Sequence, residues 1–158
     1  MKVSCPALLP GNLIPPVYAY RGVAGGRNIS LPVVWTDVPG GTKGFCFSII
    51  DRHPIAGNWV HWFVVNIPET ASALPEGASG SRKDMPPGAM ELQNSYGSQG
   101  YGGPKPPRGS GPHEYVMTVY ALDLPGLSLV PSATSTEAEK LMKAHLLGSA
   151  SIVGIFEQ

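Results

Sequence analysis

Trp59-Val60-His61-Trp62-Phe63-Val64-Val65-Asn66-Ile67 is apolar almost without interruption and rich in β-branched and aromatic side chains. A run of this length and character reads as a β-strand covered on both faces. Comparable runs bounded by Gly or Pro stand at Val17–Tyr20, Ser30–Trp35, Gly44–Asp51, Tyr115–Leu122 and Ser151–Glu157. One segment carries helical periodicity, Thr136 to Leu147. Thr134 and Glu137 supply a capping box, and Ala138, Leu141, Met142 and Leu146 share a face. Gly148 stands where a helix would end. His145 falls on the apolar side of this segment, which predicts a packing histidine. No period of repeat-protein length recurs. The expectation is a mainly β chain: one domain over residues 1–158, a β-sandwich with a single late helix at about 136–147.

Composition agrees. The 158 residues include 20 Gly and 17 Pro, yet 42% are hydrophobic and only 14% charged. A disordered chain would not carry so much apolar material, and helices tolerate neither Gly nor Pro well. Eleven Lys and Arg balance eleven Asp and Glu. The chain therefore has no basic footprint for nucleic acid. No apolar run approaches the roughly 20 residues that cross a bilayer, and neither a basic amphipathic helix nor a lipidation signal is present. Stable membrane association is not expected. Four prolines interrupt the first sixteen residues, which makes a poor signal peptide and predicts a cytoplasmic protein. Cys5 and Cys46 lie far apart in no CxxC arrangement, and Cys46 reads as a small buried hydrophobe.

Glycine and proline are concentrated. Between Tyr96 and His113 they fill ten of eighteen positions, six Gly and four Pro. Too little chain follows for a second domain, so the segment reads as a structured loop whose backbone approaches something closely.

Three strand ends each offer a pair of polar or aromatic residues two apart, and therefore on one face. The pairs are Asp51 with His53, Trp59 with His61, and His113 with Tyr115. Together they would make a small polar pocket at one end of the sandwich. Two imidazoles, a tyrosine hydroxyl and Gly-rich backbone amides can donate to an anion. Asp51 would repel that anion, but it would hold an imidazole protonated or accept from an amine. A phosphate that also carries an amine satisfies both halves.

These residues resemble the signatures of the phosphatidylethanolamine-binding proteins, also called Raf kinase inhibitor-like proteins, in their short bacterial and archaeal branch. The first signature reads here Asp51-Arg-His-Pro-Ile followed by Trp59-Val-His61-Trp-Phe. The second reads Gly103-Pro-Lys-Pro106-Pro107-Arg-Gly109-Ser-Gly-Pro-His113-Glu-Tyr115, with Asn94-Ser-Tyr-Gly-Ser-Gln-Gly-Tyr-Gly-Gly as lead-in. The resemblance covers essentially the whole chain. It implies a Greek-key β-sandwich with a small anion pocket, lined by Asp51, Trp59, His61, Pro106, His113 and Tyr115. Gly103 and Pro107 join them in the loop motif. The pocket of such proteins takes phosphate, acetate or phosphorylated head groups with no metal or other cofactor.

Two positions depart from the family pattern. His53 replaces an Asp, and Glu114 replaces an Arg. If they face each other at the pocket rim, an Asp–Arg contact has become a His–Glu contact of reversed polarity. The reading that follows is a binding protein for a small anionic ligand such as phosphate, a phosphomonoester or a phospholipid head group. It would act by binding or regulating a partner, with room left for a protein partner or a homodimer. The alternative is a weak phosphoester or related hydrolase using Asp51 with His61 or His113, for which no Gly-x-Ser-x-Gly motif is present.

Overall fold

A computed structural model describes residues 1–81 and 83–158. Eight strands and one helix are laid out as β1 Lys2–Ser4, β2 Val33–Thr36, β3 Gly44–Asp51, β4 Trp59–Pro68, β5 Ala73–Leu74, β6 Met90–Glu91, β7 His113–Leu122, α1 Ser135–Met142 and β8 Leu146–Phe156. They form two antiparallel sheets. The larger has the order β6-β4-β3-β7-β8, and the smaller β1-β2-β5.

The central strands β3 and β4 are covered on both faces, as their unbroken apolar runs predict. On one face Phe45, Phe47, Ile49, Trp62, Val64 and Met117 pack against Leu31, Val33, Trp35 and Leu74 from the smaller sheet and its approach. On the other, Cys46, Ile50, Val60, Phe63 and Val65 pack under Ala138 and Met142 of α1. Cys46 is the small buried hydrophobe expected, and burial pushes its thiol up to about 12. Among the described residues no helix is long and apolar enough to cross a membrane.

The strand starting at Lys2 and the two-residue strands β5 and β6 are too short to show a pattern in sequence. Val17–Tyr20 is not a strand. Pro15 and Pro16 enter a 3-10 turn at Pro16–Tyr18, which sends the Tyr18 side chain into the core.

The helix starts as its capping box dictates. Thr134 Oγ1 accepts from the Glu137 amide at 3.2 Å, and the Glu137 carboxylate accepts from the Thr134 amide at 2.7 Å. It ends at Met142, short of the expected Leu147. Leu146 and Gly148 lie instead on β8, opposite Leu122 and Ala121 of β7. An eleven-residue strand completing the β7 edge outweighs one more helical turn. His145 is therefore no core residue: it is exposed in the connecting turn and meets Asp123 at 2.8 Å.

Candidate ligand-binding site

The three expected residue pairs meet because β4, β3 and β7 are neighbours in one sheet. Asp51 is the last residue of β3, aligned with Trp59 on one side and Tyr115 on the other. His113 lies two residues before Tyr115 on the same face. His61 arrives differently. The β3–β4 register passes from Ile50↔Val60 to Ile49↔Trp62, so His61 is the extra residue of a β-bulge. Both His61 and Trp62 consequently reach the Asp51 face, where the imidazole stands edge-on to Tyr115 with ring centroids 5.0 Å apart.

A cavity of about 390 Å³ opens over these residues. Asp51, Trp59, His61, Pro106, Pro107, His113 and Tyr115 line it. Ile55, Ala56, Tyr96 and Lys105 complete the wall. Ile55 and Ala56 come from a local 3-10 turn, Pro54–Ala56, while Tyr96 and Lys105 come from loops whose path is set by distant contacts. Lys105 lies 5.5 Å over the Tyr20 ring, and Tyr20 stacks on Tyr96 at 4.4 Å.

Gly103 does not reach the cavity. Its amide donates to Asn28 Oδ1 at 2.7 Å and its carbonyl accepts from the Tyr96 hydroxyl at 3.0 Å, so neither is free for a phosphate. It is glycine for packing: a Cβ there would stand 2.7 Å from the Ala19 carbonyl carbon and from the Tyr20 nitrogen.

The rim pair does not form. Alternation along β7 turns Glu114 to the opposite face from His113 and Tyr115, where it is exposed. The contact between the segments is backbone, the Arg52 amide donating to the Glu114 carbonyl at 2.9 Å. His53 instead lies on His113, the rings 3.9 Å apart and 17° from parallel.

Asp51 and His113 are both buried and held together, His113 Nδ1 to Asp51 Oδ2 at 2.6 Å. The other carboxylate oxygen accepts from the His53 amide at 2.9 Å. His113 Nε2 lies 2.9 Å from Ser110 Oγ, so both imidazole nitrogens are engaged. His61 exchanges two bonds with one residue: its Nδ1 donates to the Gly102 carbonyl at 2.6 Å, and the Gly102 amide donates to the His61 carbonyl at 2.8 Å. Burial pulls its imidazole down to about 4, against the opposing pull of the Gly102 carbonyl and Asp51. At neutral pH His61 is uncharged and Nε2 carries a lone pair. Burial also raises the Tyr115 and Tyr96 phenols, which stay protonated. The Tyr115 hydroxyl is shielded from water and lies near the Asp51 carboxylate, which adds to the rise of its phenol without a hydrogen bond of standard geometry between them. Among the described residues no cluster of His, Cys, Asp and Glu is placed to hold a metal ion.

Comparison with known proteins matches this chain over residues 4–157 to the family described as phosphatidylethanolamine-binding protein. It is 35% identical to the Escherichia coli protein YbhB over 158 residues, 99% of both chains. It is 31% identical over 157 residues to LppC of Mycobacterium tuberculosis, named as a lipoprotein, covering 99% of this chain and 72% of that one. The crystal structure of E. coli YbcL, described as a new member of the mammalian PEBP family, superposes with a TM-score of 0.90 at 30% identity over 99% of this chain and 98% of that one. With its sandwich, its cavity at three strand ends and these matches, the chain belongs to the phosphatidylethanolamine-binding protein family.

Proposed function

We propose that the cavity binds a small anion of the phosphate class: phosphate itself, a phosphomonoester or a phospholipid head group. The observation that carries this reading is the cavity itself, where Lys105, Trp59, Tyr96 and the uncharged His61 surround the buried Asp51–His113 pair. Lys105 on the wall supplies a positive charge, and the Trp59 and Tyr96 rings beside it offer aromatic surface to a cationic group.

His61 refines the choice of ligand. As a neutral acceptor at Nε2, it favours a ligand atom that still carries a proton, such as the hydroxyl of a monoanionic phosphate or an ammonium group. Asp51 asks for the same. A phosphomonoester with an amine meets both demands, and a fully ionised, amine-free anion meets neither.

The protein acts through binding. Ile55 and Trp59 stand exposed at the cavity mouth, where a protein partner or a second copy would sense whether the pocket is filled. We place the protein in the cytoplasm, a reading supported by two free, buried cysteines. The test is a titration with inorganic phosphate and with phosphoethanolamine, followed by histidine ring NMR signals. Both ligands should move His113, and phosphoethanolamine should move His61 further. If neither ligand shifts either histidine, the binding reading is wrong.

A further inference from the structure

Behind the cavity wall, one serine completes an arrangement that anion binding does not need. Ser110 Oγ lies 2.9 Å from His113 Nε2, and His113 Nδ1 lies 2.6 Å from Asp51 Oδ2. A hydroxyl within reach of an imidazole, itself oriented by a buried carboxylate, is the arrangement that activates a serine nucleophile. We infer that Ser110 is a nucleophile toward carboxylic esters, with His113 as its general base and Asp51 as the residue that positions His113.

Each part has independent support in the geometry. Asp51 and His113 are 3% and 1% exposed, so the carboxylate acts on the imidazole without competition from water. The Asp51 carboxylate is fixed by the His53 amide, and the His53 ring covers one face of His113. With Nδ1 turned to Asp51, Nε2 is the ring nitrogen that faces Ser110. Ser110 itself is partly exposed. It stands between Gly109 and Gly111, both left-handed at φ 76° and 81°. A Cβ at either glycine would meet nothing within 4 Å, so both flanks of the serine are open to an incoming carbonyl.

The resting hydroxyl also has a second partner, the Pro107 carbonyl at 2.6 Å. The single Ser110 proton can point to Pro107 or to His113 Nε2, not both. In the first arrangement Ser110 accepts from Nε2–H; in the second it donates to Nε2 and is ready to attack. The Gly111 amide, next in the chain after the nucleophile, makes no hydrogen bond among the described residues. The amide at that position commonly receives the developing oxyanion.

The step balances with water as the second substrate. Ser110 Oγ bonds to the ester carbonyl carbon while its proton passes to His113 Nε2. The bond from that carbon to the alcohol oxygen breaks, and the departing alcohol takes the proton. Water then gives a proton to His113 and adds to the acyl carbon. The carbon–Oγ bond breaks, Ser110 recovers the proton, and a carboxylic acid leaves.

The intact protein should be treated with a fluorophosphonate and mapped by mass spectrometry, and assayed in parallel with p-nitrophenyl acetate. The expected result is one adduct, on Ser110, and release of nitrophenol that Ser110→Ala abolishes. Asp51→Asn should slow adduct formation by about two orders of magnitude or more, through loss of the reactive tautomer. Ser110→Cys guards against a folding defect in the alanine variant, and its new thiol should react with iodoacetamide faster than a free cysteine. A serine that merely buttresses His113 predicts none of this. An unlabelled wild-type protein, or equal labelling of the Ser110→Ala variant, overturns the proposal.

Discussion

His61 and Gly102 are bonded twice, ring to carbonyl at 2.6 Å and amide to carbonyl at 2.8 Å, which ties the β4 bulge to the Gly/Pro loop. The ring bond fixes the proton on Nδ1, and burial keeps the imidazole neutral down to about pH 4. In the unfolded chain the same ring takes a proton near the ordinary value of 6.5. Between these limits the unfolded state binds more protons than the folded one, so stability falls as pH drops from about 6.5 to about 4. Above that window the term is constant. The linkage amounts to about 3 kcal/mol at full extent. Urea denaturation at pH 7, 5.5 and 4 should show the loss in the wild-type protein. The His61→Gln variant should lose measurably less over the same range; parallel curves would refute the assignment.

The Asp51–His113 pair leads to a prediction with two readouts. Removing one partner of a buried, hydrogen-bonded pair leaves the other unsatisfied, at a cost of about 3–5 kcal/mol. His113→Ala should therefore lower the unfolding free energy by that order and also eliminate the phosphate-induced shift of His61. Chemical denaturation and the NMR titration check the two effects separately. A variant that keeps wild-type stability would show that the pair is not held as described.

The replaced positions His53 and Glu114 should behave independently. Glu114 is exposed on the far face of β7, while His53 stacks on His113. Glu114→Gln should change stability by no more than about 0.5 kcal/mol. His53→Ala should cost about 1 kcal/mol through the lost ring contact. The double mutant should equal the sum of the two, so a double-mutant cycle with a clear coupling energy would restore the ion pair that the structure lacks.

Much of this site could be read before folding because β-strand alternation is local. Asp51, Trp59, His113 and Tyr115 each follow from a strand end and a period of two. His61 came out on the right face for an incomplete reason: simple alternation would have turned Trp62 away, and only the bulge brings both inward. A bulge depends on pairing between strands, which a single run does not display. Tyr96 and Lys105 escaped for a related reason. Their loops are pinned by Asn94 to Gly100 at 2.8 Å and by Asn28 to Gly103 at 2.7 Å, the second spanning 75 positions. The helix end was misplaced because β7 offered an open edge that no helical pattern records. Ser110 stayed hidden because Gly-Ser-Gly in a loop has no partner until the fold brings His113 to it.

Gly103 tests the account of the loop as a close-packed wall. Its neighbours at the position of a new Cβ are backbone atoms of Tyr18, Ala19 and Tyr20, not flexible side-chain ends. That backbone is itself held, since the Tyr18 carbonyl accepts from the Tyr101 hydroxyl at 2.8 Å and the Tyr20 amide donates to the Pro104 carbonyl at 2.9 Å. Relief is available only by breaking those bonds. Gly103→Ala should therefore destabilise the protein by about 3 kcal/mol, at the upper end of overpacking costs. Gly109→Ala provides the control. It stands in open space, so its only cost is the left-handed backbone, about 1–2 kcal/mol. Paired urea curves should thus place Gly103→Ala below Gly109→Ala, although Gly109 is the one with positive φ. The reverse order would mean that the wall yields and that Gly103 is not what seats the loop against the turn at Pro16–Tyr18.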